Sequence, residues 1–301
     1  MKTIDKISIV FTCLFLILFS CFCYLYRNNI YLFVRDYIIK ERDNIVINNN
    51  DYSKDDNFLY VKITNDFIIK DKDHIKDVIY TILNSGVSEF TFYCSDDYIN
   101  CLNDINHTLK DDILLSNINN FVNPYNSFSK IDTTYTSNGK ITVDITKNYS
   151  NEEIISLNKK IDLILKREIK DSDNIKDKIK AIHNYIVNNG KYKETLNASA
   201  DKATGILLDG YGMCNSYADA MALFLDKLNI KNYKIASDTH IWNLVYIDDD
   251  WYHLDLTWDD PLASDGKDYL YFSFFLITDE RLKELDKIEH NYNKDVYLEL
   301  K

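Results

Sequence analysis

Proline and glycine are scarce in this chain, two and seven residues in 301. That scarcity excludes collagen-like and Pro/Gly-rich low-complexity polymers. It also makes each glycine informative, because glycine supplies the backbone conformations other residues avoid. Positive charge is in short supply too: 35 Lys and Arg face 47 Asp and Glu, a net charge of -12. No Lys/Arg stripe interleaved with aromatics reverses this locally, which argues against a nucleic-acid partner. The six histidines and six cysteines form no cluster with metal-ligand spacing, and Asp248 to Asp250, Asp259 and Asp260 read as solvated turns rather than a calcium cage, so neither metal nor cofactor is expected. Aromatic residues, in contrast, are plentiful, 23 Tyr and 15 Phe. A chain of this composition folds rather than remaining disordered, and its length allows one large core or two modest ones.

Residues 7–26 carry no charge. As a helix they would measure roughly 30 Å, the thickness of a bilayer's hydrocarbon core, so residues 1–28 are expected to be a single-pass transmembrane anchor. Two other readings stay open. A cleaved secretory signal would have a shorter apolar stretch and a small-residue cleavage site, neither of which is present. Leu18-Phe19-Ser20-Cys21 is similar to a bacterial lipoprotein cleavage box, although Phe19 is bulky and more membrane-like residues follow Cys21. Lys2 and Lys6 precede the run, and Arg27, Arg35, Lys40 and Arg42 follow it. This distribution does not itself favour an external C-terminus, but long domains translocate largely regardless of charge. The expectation is a cell-membrane protein with its C-terminal part extracytoplasmic.

Residues 29–55 read as a polar connector and 56–150 as a small α+β module. The module has alternation over 58–69, then a helix over 73–83 with Ile75, Val78, Ile79 and Ile82 on one stripe, stopped by Gly86. A strand over 87–94 and a longer helical stretch to about residue 121, ended by Pro124, come next. Strands over 130–136 and 140–146 then flank Ser137-Asn138-Gly139, a strong hairpin signal. Nothing in the module forms a chemical constellation, so spacing, docking or substrate presentation are its expected roles. Cys94 and Cys101 could pair in an oxidising compartment, but their separation in space is open. Two helices, 151–170 and 173–189, open the functional domain at 151–301; Ile175, Ile179, Ile182 and Ile186 line the second.

Three of the seven glycines, Gly205, Gly210 and Gly212, fall just before Cys214, and an apolar helical pattern begins just after it. Tyr217, Ala218, Met221, Phe224, Leu225 and Leu228 share a face. A sharp turn thus delivers a cysteine to a helix N-terminus, where free N–H groups and the helix dipole favour a thiolate. A buried, inert cysteine is the competing reading of this context alone. Downstream, Trp242, Trp251 and Trp258 fall in one short segment with His240, His253 and Asp255. Residues 240–247 and 251–256 read as a hairpin closed by Asp248, Asp249 and Asp250. A two- or four-residue loop would place His240 and Asp255 on one face, directly or diagonally opposed, so that a carboxylate could orient an imidazole. His253 shares the face of Asp255 and remains a rival base.

These residues resemble a family. GYGMCNSYADAMALFLDKLNI, THIWNLVYI and WYHLDLTWDDP are similar, in order and spacing, to the nucleophile, histidine and aspartate blocks of the transglutaminase-like superfamily of papain-like thiol enzymes. The likeness covers roughly residues 170–290. Ser216 and Thr239 stand where glycine is frequent in the family; both are small and remove no chemistry. The resemblance implies an α+β fold, a nucleophile helix packed on an antiparallel sheet, and a Cys214, His240, Asp255 triad. It further implies acyl transfer on protein or peptide amide bonds through a thioester. Water would make the protein a peptidase or amidase, and a lysine amine would make it a cross-linking enzyme. The oxyanion is expected near the Cys214 N–H, with a second donor from the segment around Tyr192. A non-catalytic cell-surface interaction module that retains the fold is the alternative.

Overall fold

The structure is a computed structural model. It describes residues 2–34, 45–136, 139–260 and 269–300, with 2–10 and 32 described by backbone alone. The chain divides into two compact units, Met1–Val46 with Thr136–Asn138, and Ile47–Tyr135 with Gly139–Lys301. The first unit carries helices α1 (Lys2–Leu25) and α2 (Arg27–Phe33), and Phe11, Phe15, Ile17, Leu18 and Tyr24 are exposed on α1. Among the described residues no helix is long and apolar enough to cross a membrane. The side chains of residues 7–10 lie outside the described set, and residues 11–25 supply only about 22 Å at 1.5 Å per residue, short of the roughly 30 Å required. The anchor expected over 7–26 is not supported by the described part of α1.

The second unit is mixed α+β. Strands β1 (Ile68–Ile69), β2 (Glu89–Cys94), β3 (Phe128–Tyr135) and β4 (Lys140–Lys147) form one sheet, in the order β1-β2-β4-β3. Pairing is parallel between β1 and β2 and antiparallel elsewhere. Helix α3 (Lys72–Ser85) buries the predicted stripe Ile75, Val78, Ile79 and Ile82. The Asp71 side chain caps its start by accepting from His74 N, and Gly86, at φ 72°, ends it. The strand expected over 58–69 contracts to β1. Here the backbone N–H groups of Lys62, Ile63 and Thr64 donate to Asp77, Asn57 and Thr81 side chains, at 2.8, 2.8 and 2.9 Å, instead of to a ladder. The single long helix expected before residue 121 is two, α4 (Cys101–Thr108) and α5 (Asp112–Asn119), because the Asp111 carboxylate accepts from Leu114 N and starts a new one. In the β3–β4 hairpin Tyr135 faces Ile141 and Gly139 has φ 82°; Ser137 and Asn138 lie outside the described residues. A Cys94–Cys101 disulfide, Cα atoms 5.9 Å apart, ties the end of β2 to the start of α4.

Helix α6 (Asn151–Glu168) begins with a Ser150/Glu153 capping box, and α7 (Ile175–Asn189) with Asn174 accepting from Asp177 N. Then come α8 (Cys214–Lys227), the antiparallel sheet β5 (Asn232–Ala236), β6 (Ile241–Ile247), β7 (Asp250–Leu254), and α9 (Asp279–Leu285). Helix α8 packs against β5, β6 and α7. Ile179, Ile182 and Ile186 of α7, Tyr217, Met221 and Phe224 of α8, and Val245 and Leu254 of the sheet share one buried cluster.

Residues upstream of α6 pack directly onto this cluster's sheet. Buried Phe121 lies 5.2 Å from Phe58, 4.7 Å from Tyr233 and 6.1 Å from Tyr297, ring centre to ring centre. Within the stretch read as a connector, Asn50 donates to Asn126 at 2.7 Å. Buried Lys54 donates to the Asn232 carbonyl at 2.9 Å and lies 3.1 Å from Asp226 at the end of α8. A shared aromatic core of this kind predicts cooperative unfolding. Phe121→Ala should cost about 3–5 kcal/mol, and urea denaturation followed by near-UV and far-UV circular dichroism should lose β3–β4 and α8 in one transition. Two separate transitions in the wild type would refute the shared core.

Candidate active site

The site begins with how the chain reaches α8. A π-helical turn, Gly205–Asp209, closes at Gly210, whose φ of 79° suits a residue without a side chain. Gly212 is constrained by contact: a Cβ there would stand 2.4 Å from Ser216 Oγ. Gly212 pairs in parallel with Tyr192, through Gly212 N to Lys191 O and Lys193 N to Gly212 O, each 3.0 Å. Ser216 explains why glycine is dispensable at its own position. Its buried hydroxyl donates to Lys202 O at 2.5 Å and accepts from Ile206 N at 3.0 Å, pinning the π turn to the first turn of α8.

Cys214 is the first residue of α8, and Met213 at the cap makes no side-chain hydrogen bond to the helix start. The early N–H groups are thus left without a side-chain acceptor, an arrangement that favours an anion. The thiol is free and half-buried.

The hairpin brings the other two predicted residues together. Ile247 pairs with Asp250 across a two-residue loop whose Asp248 and Asp249 have φ of 54° and 67°, the positive values a type I′ turn requires. Asn243 pairs with Leu254, so continuing the register sets Trp242 opposite Asp255 and His240 diagonal to it. The His240 backbone N–H donates to Ser237 Oγ at 3.1 Å, and its carbonyl accepts from Ser237 N at 2.9 Å. Its ring stacks on Trp242 at 5.6 Å and 15°. His240 Nε2 meets Asp255 Oδ2 at 2.6 Å. That bond leaves Nδ1 for Cys214, which acts on the ring as a hydrogen-bond partner. Asn243, three residues beyond His240, donates to Ala218 O of α8 at 2.9 Å and so fixes the hairpin against the helix that Cys214 opens.

Asp255 is buried, at 1% exposure, and fully bonded. Oδ1 accepts from Thr257 N at 2.9 Å and Trp258 N at 3.2 Å, while Oδ2 accepts from His240 and, at 2.9 Å, from His290 Nε2. Burial alone would raise this carboxyl; the charge and hydrogen bond of His240, then those of His290, hold it well below the usual carboxylate range. For His240, burial opposes the charged ring. The Asp255 charge and hydrogen bond, then the hydrogen bond and charge of Cys214, push it up to about 10.

His290 has no counterpart in the sequence reading. It lies 35 residues beyond Asp255, in a segment without a catalytic motif, and its one local cue is Asp286 four residues earlier. The donor atoms of His240, Asp255 and His290 lie within 4.8 Å of one another, although no His/Cys ligand spacing is visible in the sequence. Each Nε2 that would face an ion instead donates to Asp255, so the trio is a hydrogen-bonded set rather than a metal centre. The rival base His253 is fully buried. Its Nδ1 accepts from Trp242 Nε1 at 3.0 Å, so that nitrogen is already engaged. Tyr192 is close enough for Cys214 to act on it: burial first, then the Cys214 charge, raises its phenol.

A family model, that of the transglutaminase-like superfamily, matches residues 164–256. Two solved structures are similar to parts of the chain. One, described as "Crystal structure of a TGase", is 15% identical over 44% of this chain and 45% of its own, with a TM-score of 0.33. The other, described as "a Putative Cysteine Protease from Cytophaga hutchinsonii", is 16% identical over 47% of this chain and 65% of its own, with a TM-score of 0.28. The chain thus spans less than two thirds of either. No curated protein matches it. The matched segment runs from the end of α6 through Cys214 and His240 to just past Asp255, and over this segment the chain is similar to the transglutaminase-like superfamily.

Proposed function

We propose that the protein is a thiol acyl-transfer enzyme acting on protein or peptide amide bonds, with Cys214 as nucleophile, His240 as its acid and base, and Asp255 orienting His240. The observation that carries this reading is the 2.6 Å bond from His240 Nε2 to a buried carboxylate, which leaves the other ring nitrogen to a half-buried thiol at a helix start. Cys214 Sγ attacks the carbonyl carbon, and the charge that builds on oxygen is met by the unclaimed N–H groups at the start of α8. His240 gives its proton to the departing amine as the C–N bond breaks, leaving a thioester on Cys214. Water or a lysine amine then attacks the thioester, His240 taking the attacking group's proton, and the thiolate leaves.

The uncharged run at 7–26 supports membrane tethering, and the Cys94–Cys101 disulfide supports an oxidising, extracytoplasmic location for the second unit. Envelope proteins or peptides are then the substrates within reach. Removing residues 1–28 should release a soluble, active chain from membranes; loss of folding on truncation would count against a separable anchor.

The chemistry is tested with an electrophilic thiol probe and peptide mapping, since Cys13, Cys21 and Cys23 are also free. Labelling should map to Cys214, slow sharply in His240→Ala, and change little in His253→Ala. Asp255→Asn should reduce turnover severely, by about 10⁴ if it behaves as the corresponding change in a serine triad. Unimpaired labelling of Cys214 in His240→Ala would exclude the pair as the reactive unit, and the interaction-module alternative would then account for the fold.

The site also sets a pH dependence of stability. A histidine whose folded value is raised binds its proton more tightly in the native state, so stability falls as pH rises through the window between unfolded and folded values. For His240 the contribution is complete below about pH 6.5 and is lost as pH rises towards about 10. Urea midpoints measured across this range should fall in the wild type and fall less in Asp255→Asn. Equal slopes would mean that Asp255 does not raise His240.

A further inference from the structure

Asp255 Oδ2 is shared between two imidazoles. His240 Nε2 lies 2.6 Å from it and His290 Nε2 2.9 Å, with the two rings 5.3 Å apart and nearly perpendicular. A carboxylate is an acceptor only, so both rings present an N–H to the same oxygen. Oδ1 is occupied separately by two backbone N–H groups, which hold the carboxylate in place whether or not His290 is there. The work left to His290 is therefore electrostatic.

Its placement is built rather than incidental. The turn after α9 is organised by Asp286, whose carboxylate accepts from the backbone N–H groups of Ile288, Glu289 and His290 at 3.2, 2.9 and 2.8 Å. The same side chain meets His290 Nδ1 at 2.9 Å. His290 thus has a carboxylate oxygen within hydrogen-bond distance of each ring nitrogen. Phe274 stacks on it at 5.1 Å and 12°, while Trp242 and Trp258 close its edges at 4.7 and 4.8 Å. The ring is 3% exposed. The charged and titratable groups facing this pair of histidines are Cys214 from α8, Asp255 after β7, His253 within β7, and Asp286 from the turn itself.

We propose that His290 is a positioning residue of this site: by donating to the Asp255 oxygen that also receives His240, it weakens the carboxylate's hold on the His240 proton and keeps His240 able to release that proton to a leaving amine. An acid bound to an unshared buried carboxylate would be held too tightly to act near neutral pH, because proton donation is most effective when the donor's pKa lies close to the working pH. The inference rests on the reading of His240 as the proton donor for acyl transfer, and its test does not depend on finding the substrate.

The six histidines of the full-length chain in detergent can be followed by NMR with ¹³C-labelled imidazole, the His240 signal being assigned from His240→Ala. In His290→Ala the His240 titration should move upward by about one pH unit, the size expected when the shared carboxylate loses one close hydrogen-bond donor. His290→Gln, which restores an uncharged N–H donor, should bring it back towards the wild type. Asp286→Asn removes the partner of His290 Nδ1 and should shift His240 upward by less; it decides the matter if His290→Ala does not fold. The pH profile of Cys214 alkylation by iodoacetamide should show its upper inflection moving with the NMR value. A His240 titration that stays put or moves downward in the folded variants overturns the proposal, even if Cys214 remains reactive. A wild-type Cys214 that resists alkylation defeats the acyl-transfer reading instead, while the NMR titration still reports on His290.

Discussion

A single carboxylate in a dry place organises the site. Unpaired burial of Asp255 would be strongly unfavourable, and a charged carboxyl in such surroundings persists only with its lone pairs satisfied. Four donors converge on it: the backbone at Thr257 and Trp258, and the rings of His240 and His290. Each donor comes with a structural demand. The backbone pair requires the chain to turn immediately after Asp255, His240 must lie diagonally across the hairpin, and His290 must be returned from beyond α9. Conformations that misplace any of them leave a buried charge short of a partner, so the carboxylate selects one arrangement of hairpin and C-terminal turn.

The Cys214 thiol is positioned by a different set of constraints. The turn before α8 concentrates three of the seven glycines of the chain, where positive φ or close contact excludes a side chain, and the buried Ser216 hydroxyl locks the result. Below its first turn α8 carries buried charge. Asp219 accepts from Lys234 of β5 at 2.5 Å and from Tyr149 OH at 2.6 Å, and Asp226 is bonded by Asn232 and Asn123 at 2.6 and 2.7 Å. Buried ion pairs are weak sources of net stability. Their effect here is on register, because a slip of α8 by one residue would strand Asp219 and Asp226 in apolar surroundings. Through Asn123 and Lys54, residues upstream of α6 thereby help fix where Cys214 stands.

What could be read from sequence follows the range of each interaction. The α7 stripe at Ile179, Ile182 and Ile186, though not at Ile175, which is exposed, the start of α8 at Cys214 and the His240–Asp255 diagonal depend on residues near one another or on strand parity, and local periodicity exposes them. The break between α4 and α5 was hidden because Asp111 interrupts a pattern whose apolar spacing continues on both sides. The strand expected over 58–69 was lost to side chains of Asn57, Asp77 and Thr81 that take its backbone donors, competition that alternation does not reveal. His290 was invisible for a stronger reason: its partner lies across the fold, and the aromatic walls that bury it are drawn from β6, from Trp258 after β7, and from Phe274. Asp286 at four residues' distance is a turn signal and says nothing about catalysis.

Strand parity also could not choose between His240 and His253, because both lie on the face that carries Asp255. Trp242 makes the distinction. Its indole N–H can only donate, so the His253 nitrogen it reaches must be an acceptor, and that ring is neutral with its other nitrogen 3.7 Å from Asp279. Burial holds His253 below the ordinary imidazole range as well. His240 is stacked on the same indole and bonded to a carboxylate that favours its charged form. His290, edge-on to Trp242 and placed between two carboxylates, is the third. Three histidines thus surround one tryptophan, and hydrogen-bond partners, rather than exposure, set His240 apart from His253. Among them only His240 combines a charge-stabilising partner with a free nitrogen directed at a thiol, which is the combination a proton-transferring residue requires.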